Sequence, residues 1–213
     1  MNIYINNQVK QVRNLHQSIL NKYLDFNLIK DFLDALSINL FEAFNKGEKT
    51  VTIEINNYHP LLIGCDYDEI HSRDFSLEDA RLTLAREYGF QEWSSIDGTL
   101  NPDFETAIDL LLNGEENQLK QMIQTDPTLL SQRSPFGHRA TLLHYAGSNG
   151  VEIWRQVVPV NLPEIVKMLI DSGADKNAKA RFYGGEYSTL ELASTSAHPK
   201  AAGIKQDLEC ILN

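Results

Sequence analysis

The chain has 213 residues, of which 42% are hydrophobic, and this is enough for one packed domain or two small ones. Its formal net charge of −10 argues against a nucleic-acid-binding protein, because phosphate binding requires clustered Lys and Arg. Two cysteines make no disulfide framework and favour a cytoplasmic location, while the lack of a long apolar run or a signal-peptide pattern predicts no membrane span and no secretion.

Residues from about 8 to 46 are predicted to be helical, since apolar residues recur there at helical spacing. Residues 51–55 (VTIEI) alternate as a strand would, yet Val51, Ile55 and Tyr58 would also share one face of a helix. The residues themselves therefore leave strand and helix open for this segment. His59 and the proline after it end the element in either case.

A clearer helix is predicted at 76–88. Ser76 and Asp79 have the spacing of a capping box, in which each side chain bonds the backbone of the other residue. The helix carries an apolar stripe: Leu77, Ala80, Leu84 and Tyr88. Phe90 and Trp93 are expected to fold back onto this stripe as core. The polar connection at 97–102 predicts a domain boundary, with a helical module at 1–98 and a second domain at 103–213.

The second domain contains a repeat signature. Residues 141–146 (TLLHYA) match T-P-L-H-x-A, and residues 169–177 (LIDSGADKN) match the helix end and hairpin that follow in the same repeat. Together they are typical of one ankyrin repeat. Thr141 is expected to cap the inner helix, with the His144 ring bonding back to it. Gly150 and Gly173 are predicted to end the inner and outer helices.

The repeat register extends in both directions. Residues 107–123 have the pattern of an earlier repeat, and residues 188–193 (STLELA) are a degenerate later copy in which Ser188 is the cap. The predicted fold is therefore all-α, with the N-terminal helical module packed on a stack of about three repeats at 103–137, 138–180 and 181–213. Three repeats are about the minimum for a stable stack, and terminal repeats are expected to deviate.

The spacing of the repeats is irregular. Thr141 and Ser188 stand much further apart than one usual repeat of about 33 residues. Most of the excess lies at 151–163, with smaller inserts at 181–187 and 194–200. Two interpretations of the long insert stay open: a loop at the binding face, or a longer turn that uses its own apolar residues, such as Trp154, to cover an apolar edge.

Residues 75–93 (FSLEDARLTLAREYGFQEW) resemble a bacterial ankyrin-repeat family, in which the segment reads roughly S-L-x-D-A-Q-x-x-x-A-R-E-Y-G-F-x-S-W after a helical module with an H-P turn. Further likeness is seen at 58–60, 138–145, 149–152, 155–156, 183–185 and 197–199. The likeness covers about residues 45–213, with departures at Arg81 and Glu92. It implies a fold more than an activity, and it implies that 50–57 is helical.

Several polar residues in these segments exceed the needs of a repeat stack: His138, Arg139, Tyr145, Asn149, Arg155, Gln156, Tyr183 and His198. One interpretation is a polar pocket in which Arg139 or Arg155 holds an anion and His138 or His198 acts as acid or base. The favoured interpretation is that these residues tie long loops down, because buried loop backbone needs hydrogen-bond partners.

The sequence as a whole predicts a non-catalytic protein–protein interaction module of a bacterial cytoplasm, which works as a monomer through ankyrin loops and inner helices. Aromatic and Arg side chains anchor interfaces. The candidate binding residues are Arg133, Phe136, His138, Arg139, Trp154, Arg155, Phe182, Tyr183 and Tyr187.

Two alternatives remain open: an inhibitor or immunity protein of a basic toxin or nuclease, and a small-molecule pocket or enzyme built from the polar residues of the inserts. No cofactor, metal or catalytic residue is expected. The expected partner is an unknown protein, for which the net charge favours a basic one, and neither nucleic acid nor membrane is expected.

Overall fold

The computed structural model describes residues 2–213, with 58% in helices and 7% in strands, so the protein is mostly helical. It divides into two compact units. The N-terminal unit comprises Asn7–Leu100 and Pro135–Gly137, and the C-terminal unit comprises residues 2–6, Asn101–Ser134 and His138–Asn213. Residues 2–6 thus belong to the C-terminal unit and residues 135–137 to the N-terminal unit, although their positions in the sequence suggest the reverse.

The N-terminal unit is built from six α-helices, which are α1 (Asn7–Leu15), α2 (Gln17–Leu20), α3 (Ile29–Asn45), α4 (Val51–Tyr58), α5 (Tyr67–His71) and α6 (Leu77–Glu87), with 3₁₀ turns at Tyr23–Asp25 and Trp93–Ser95. The long helix α3 packs against α6 along a fully buried stripe that includes Phe32, Leu36 and Leu40. Helix α4 contacts α1, α5 and α6. The core of this unit therefore lies between α3, α4 and α6.

The segment with the ambiguous pattern is a helix. In α4 the buried residues are Val51, Glu54 and Ile55, which share one helical face. The helix implied by the family resemblance is confirmed here, and the local alternation is misleading. Packing of this face against α1 and α6 decides the conformation, because propensity is weaker than tertiary contact.

The start of α6 follows the sequence prediction. The Asp79 N–H donates to Ser76 Oγ at 3.2 Å, and the Ser76 N–H donates to Asp79 Oδ2 at 2.8 Å. Ala80, Leu84 and Tyr88 are buried. This local rule holds because both partners lie within one turn of helix.

The prediction for Phe90 and Trp93 holds only in part, since the turn at Trp93–Ser95 contacts α6 but both residues are only half-buried. The Trp93 ring instead lies near two cations, with Lys30 Nζ 5.9 Å and the Arg81 guanidinium 5.5 Å from its centroid. The aromatic ring that packs edge-on against Tyr88 is that of Phe136, with centroids 4.8 Å apart.

The C-terminal unit contains four short strands and seven helices. They are β1 (Ile3–Ile5), α7 (Pro102–Leu112), α8 (Glu116–Thr125), α9 (Leu142–Tyr145), β2 (Val157–Pro159), α10 (Leu162–Asp171), β3 (Ala180–Phe182), β4 (Gly185–Tyr187), α11 (Thr189–Thr195), α12 (Ala197–Ala201) and α13 (Lys205–Leu212), with 3₁₀ turns at Pro127–Leu130 and Ile153–Arg155.

All helices of this unit except α12 fall into two columns. Helix α9 packs on α7 on one side and on α11 on the other, while α10 contacts α8 and α13 in the same way. Contacts of α7 with α8 and of α11 with α13 join the columns. Two antiparallel strand pairs complete the unit, β1 with β2 and the hairpin of β3 with β4.

The long insert packs inward. Trp154, Val157 and Val158 are all buried, and β2 pairs with β1 so that Tyr4 lies opposite Val158. Of the two interpretations of this insert, the contacts favour the turn that covers an apolar edge. Trp154 is accordingly a core residue.

The two signature glycines behave differently. Gly173, with φ of +107°, follows α10 directly, as predicted. The prediction for Gly150 is wrong, because α9 has only 4 residues and its C-cap is Ala146. Gly150 has φ of +77°, and a Cβ atom built there would lie 2.6 Å from the ring of Phe182. Glycine is therefore needed at this position, because a Cβ atom would collide with the Phe182 ring.

Candidate functional site

Three of the predicted polar residues, His138, Tyr145 and Arg155, meet in a buried cluster. The 3₁₀ turn at Ile153–Arg155 places the guanidinium so that Nη2 donates to Glu105 Oε2 at 2.5 Å. Nη1 lies 3.9 Å from Glu152 Oε2, and the guanidinium carbon is 4.4 Å from the centroid of the Trp154 ring. Arg155, Glu105 and Glu152 are each fully buried, so this cation is held by two carboxylates and a stacked indole.

His138 and Tyr145 extend the cluster on its far side. His138 Nε2 lies 2.9 Å from Glu152 Oε1, and its Nδ1 accepts from the Ala140 N–H at 3.1 Å. Because Nδ1 accepts, the proton must be on Nε2, and the ring is a neutral donor to Glu152. The Tyr145 hydroxyl is directed at the same Glu152 oxygen at 3.5 Å.

The two carboxylates have opposite pKa shifts. Burial raises the pKa of Glu105 above its ordinary value, although the charge and hydrogen bond of Arg155 oppose this effect. Burial also acts to raise the pKa of Glu152, but the hydrogen bond from His138 and the charge of Arg155 outweigh it, and the net pKa is lowered. The shifts differ in direction because Glu152 also bonds His138, which lowers its pKa.

The cluster can act as a brace. Its bonds join the insert that carries Glu152 and Arg155 to α7 through Glu105, and to the segment before α9 through His138. All four side chains are at most 1% exposed, so a ligand could reach them only after the insert moves. These contacts match the interpretation in which the polar residues hold loops in place.

A second histidine connects α9 to the hairpin. His144 Nδ1 accepts from the Thr141 N–H at 3.2 Å and lies 2.8 Å from Thr141 Oγ1, while Nε2 lies 3.2 Å from the carbonyl of Tyr187. The predicted bond to Thr141 is present, but the ring is the acceptor and the hydroxyl the donor. Burial, with a smaller effect from the Arg133 charge, lowers the pKa of His144 to about 4.

The β3–β4 hairpin presents an exposed aromatic side chain. Its turn is Tyr183–Gly184, and Tyr183 has φ of +51° with 66% of its surface exposed. The Tyr183 hydroxyl donates to Asn149 Oδ1 at 2.6 Å, and its ring lies edge-on to Tyr187 with centroids 6.3 Å apart. Arg181 is also exposed on this hairpin.

The segment next to the hairpin adds a further cation. The Arg181 N–H donates to the His138 carbonyl at 2.8 Å, which places the exposed Arg139 beside β3. Arg133 Nη1 donates to the carbonyls of Arg139 and Lys179 at 2.8 and 2.7 Å and fixes both segments. We use the term hairpin surface for Arg139, Arg181, Tyr183 and Tyr187.

The structure separates the candidate binding residues into two groups. Arg139 and Tyr183 are exposed, and Arg133 and Tyr187 are half-buried. The other candidates are buried: Phe136, His138, Trp154, Arg155 and Phe182. These five side chains are therefore part of the packed interior in this structure, and only the first group lies where a partner could reach it without rearrangement.

Two of the buried candidates, Phe182 and Phe136, are held inside the fold by aromatic packing. The Phe182 ring is stacked on His138, with centroids 5.4 Å apart, and lies against Gly150. A core position for Phe182 was missed because its neighbours in space come from distant parts of the chain. Phe136 belongs to the N-terminal unit, where it packs on Tyr88.

Three residues of the buried cluster and the hairpin surface are not among the candidates that the sequence predicts: Glu105, Glu152 and Arg181. Glu105 does give a signal, because it stands at helical spacing from Ile108 and Leu112 in an apolar stripe. A charged residue in such a stripe is expected to have a buried partner. Arg181 gives no signal in the sequence beyond its place in an insert.

Comparison of the chain with family models, with curated proteins and with solved structures finds no match. The likeness to the bacterial ankyrin-repeat family therefore stays a prediction. Within residues 2–213, no helix is both long and apolar enough to cross a bilayer.

Proposed function

We propose that this protein is a non-catalytic interaction module, in which a short degenerate ankyrin stack presents the hairpin surface to another protein. The two helix columns of the C-terminal unit support this proposal, since an ankyrin stack also places successive inner and outer helices side by side. A hairpin between the second and third helix pairs also suits that architecture.

The observation that carries the proposal is the conformation of Tyr183. A two-residue turn with positive φ at both positions favours Asn and Gly, and a bulky residue there is strained by about 1 kcal/mol or more. Here the strained position carries a ring with 66% of its surface exposed, and its contacts with Tyr187 and Asn149 lie at the surface of the protein. Strained residues concentrate where proteins bind other molecules.

The hairpin surface has the chemistry of a contact site. It combines two exposed guanidinium groups, on Arg139 and Arg181, with the rings of Tyr183 and Tyr187. Tyr and Arg are the residue types that contribute most binding energy at interfaces. Glu186 stands opposite Arg181 in the hairpin register and is also exposed, so the charge of this surface does not by itself select an acidic or a basic partner.

The buried cluster supports a binding role over catalysis. Arg155 is hydrogen-bonded to Glu105, and His138 to Glu152, and this bracing supports the loop that carries Asn149, the hydrogen-bond partner of Tyr183. A fixed hairpin loses less entropy on binding than a mobile one.

The proposal is tested by comparing three forms of the full chain as baits in an extract of the native cell, with quantitative mass spectrometry. The forms are wild type, Tyr183→Ser/Tyr187→Ser, and Val160→Ser, which removes an exposed apolar side chain elsewhere in the C-terminal unit. We expect a protein that is retained by wild type and Val160→Ser and lost, by at least about tenfold, from the double variant.

Thermal melts of the three forms provide the folding control, and we expect them to agree within a few degrees because surface changes are each worth under about 0.5 kcal/mol. If the same proteins were retained by all three forms, the hairpin surface would not be the binding site. Turnover of a metabolite that Arg155→Lys abolishes without loss of stability would favour the enzyme alternative instead.

A further inference from the structure

A second exposed feature lies in the N-terminal unit, on the loop between α4 and α5. Leu61 is 84% exposed and Ile63 is 66% exposed, and they flank Leu62, which is buried. Single apolar side chains on a surface are ordinary, but two large ones on one short loop form a local patch. We use the term apolar loop for residues 60–64.

The apolar loop is held in one conformation by its backbone. The Leu62 N–H donates to the His59 carbonyl at 2.9 Å, the Gly64 N–H to the Asn56 carbonyl at 2.9 Å, and the Cys65 N–H to the Leu62 carbonyl at 3.1 Å. With Leu62 in the core as an anchor, Leu61 and Ile63 have a fixed direction. A loop ordered in advance loses little entropy when it docks.

A set of stacked rings fixes α5, the helix that follows the loop. His71 lies between Tyr67 and Phe44, with ring centroids 4.0 and 4.4 Å away, and Phe44 packs on Phe75 at 4.6 Å. The position of α5 is therefore set by the core of the unit. The exposed Leu61 and Ile63 take no part in this packing, so their exposure is not explained by the fold.

The charge next to the apolar loop is negative. Asp66, Asp68 and Glu69 follow it directly and are all exposed, and no Lys or Arg occurs between residues 50 and 72. The cations that flank this stretch are Lys49, whose Nζ lies 5.5 Å from the centroid of the Tyr67 ring, and the exposed Arg73 just after α5. The loop is thus an apolar tip beside an acidic helix end.

We propose that the apolar loop is a second docking site, whose occupant is a basic amphipathic helix of a partner protein. Leu61 and Ile63 would contact the apolar face of that helix, and its Lys or Arg side chains would pair with Asp66, Asp68 and Glu69. This interaction is separate from the one at the hairpin surface and does not depend on it.

The acidic residues favour a basic helix over two other occupants, a second copy of this chain and an anionic membrane. A second copy of this chain would bring a further net charge of −10 and the same acidic residues, which repel one another. A membrane surface with anionic lipids would be repelled by the same carboxylates. A basic helix satisfies both the apolar and the charged part of the surface.

The test uses the full chain and a fluorescent synthetic helix about 18 residues long, with Leu on one face and Lys on the other, read by anisotropy. A matched peptide with Glu in place of Lys is the probe control. We expect the Lys peptide to bind and the Glu peptide to bind at least about tenfold more weakly, with affinity falling as salt rises from about 50 to about 500 mM.

The protein variants decide whether binding occurs at the apolar loop. We expect Leu61→Ser/Ile63→Ser to weaken binding of the Lys peptide at least about tenfold, and Asp68→Asn, which leaves the Asp66–Glu69 capping box intact, to weaken it about twofold to fivefold. The control is Leu24→Ser/Val160→Ser, which removes two exposed apolar side chains elsewhere and should bind like wild type.

Three results would overturn the proposal. Equal binding of the Lys peptide to the loop variant and to wild type would place the peptide elsewhere on the acidic surface. Light scattering that showed a wild-type dimer, lost in the loop variant, would assign the loop to a second copy. Binding to phosphatidylserine vesicles that the loop variant loses would assign it to a membrane. Thermal melts of all variants within a few degrees of wild type confirm that each is folded.

Discussion

Each unit of this protein buries a histidine against a glutamate, but the two pairs are completed in different ways. In the N-terminal unit, His16 Nε2 lies 3.1 and 3.0 Å from the two oxygens of Glu54, and its Nδ1 is 3.0 Å from the amide nitrogen of Asn39. Asn39 also donates to the Leu15 carbonyl at 2.8 Å. This pair is completed by a neutral amide.

In the C-terminal unit the corresponding pair, His138 with Glu152, is completed by the cation Arg155, which also holds a second carboxylate on Glu105. A neutral amide can be replaced at the cost of one or two hydrogen bonds. A buried cation cannot be removed without leaving carboxylates without compensation. The difference indicates that the C-terminal brace depends on one residue, and the N-terminal pair does not.

The largest expected effect is that of Arg155→Met. It leaves Glu105 and Glu152 buried without a cation, and we expect a loss of about 3–5 kcal/mol in the free energy of unfolding. Asn39→Ala, the matched change in the N-terminal pair, should cost about 1–2 kcal/mol. Urea unfolding followed by circular dichroism measures both, and equal losses would contradict the comparison. Adding Glu105→Gln to Arg155→Met should recover part of the loss.

Acid should affect the C-terminal unit through His144. Its pKa is about 4 in the folded chain and about 6.5 when unfolded, so the neutral ring favours folding above pH 6.5. This contribution is lost as pH falls from about 6.5 to 4, and the loss amounts to roughly 3 kcal/mol. His144→Gln should flatten the pH dependence of the unfolding free energy in this range. An unchanged slope in that variant would mean that other groups cause the acid response.

Two glycines with the same left-handed backbone allow the cost of backbone strain to be measured apart from the cost of steric crowding. Gly150 and Gly64 have φ of +77° and +78°, but a Cβ at Gly150 would meet the Phe182 ring at 2.6 Å, and one at Gly64 would meet nothing within 4 Å. We expect Gly64→Ala to cost about 1 kcal/mol from strain alone and Gly150→Ala to cost about 2–4 kcal/mol. Thermal melts of both variants test the difference, which should vanish if the Phe182 ring can move aside.

The smallest expected effect is that of Tyr183→Asn. Asn adopts positive φ more readily than Tyr, so we expect the free energy of unfolding to stay constant or rise by up to about 1 kcal/mol. The hydrogen bond to Asn149 is exposed and offsets little of this gain. A loss above about 1 kcal/mol in urea unfolding would show that Tyr183 stabilises the hairpin, which would remove the main support for its role in binding.

The features predicted correctly from sequence are those whose partners lie within one helical turn. The capping box of Ser76 with Asp79 and the cap at Ser188, completed by Glu191, depend only on local spacing. The wrong or open predictions concern residues whose environment is set at long range. Phe182 is buried by Gly150 and His138, and the helix at Val51–Tyr58 is fixed by its neighbours in the unit.

The residues of the candidate site also divide into those that local sequence can predict and those whose partners lie far away in the chain. The sequence places Tyr183 in a glycine-containing hairpin, and turns are exposed, so the sequence alone identifies this residue as a candidate for partner contact. Glu105 and Arg155 lie far apart in the chain, and no local pattern indicates that they pair. Buried charge pairs of this kind become predictable only when the register between α7 and the insert is known.

The pairing of β1 with β2 has a consequence for how the chain folds. Residues 3–5 pair with residues 157–159, and the whole sequence of Asn7–Leu100 lies within the loop that this pairing closes. Long loops of this kind raise contact order, which slows folding. During synthesis the first strand must wait, unpaired, while the ribosome makes a complete helical unit and half of the next one. We therefore expect strand closure to be among the last steps, after the helices of the N-terminal unit have formed.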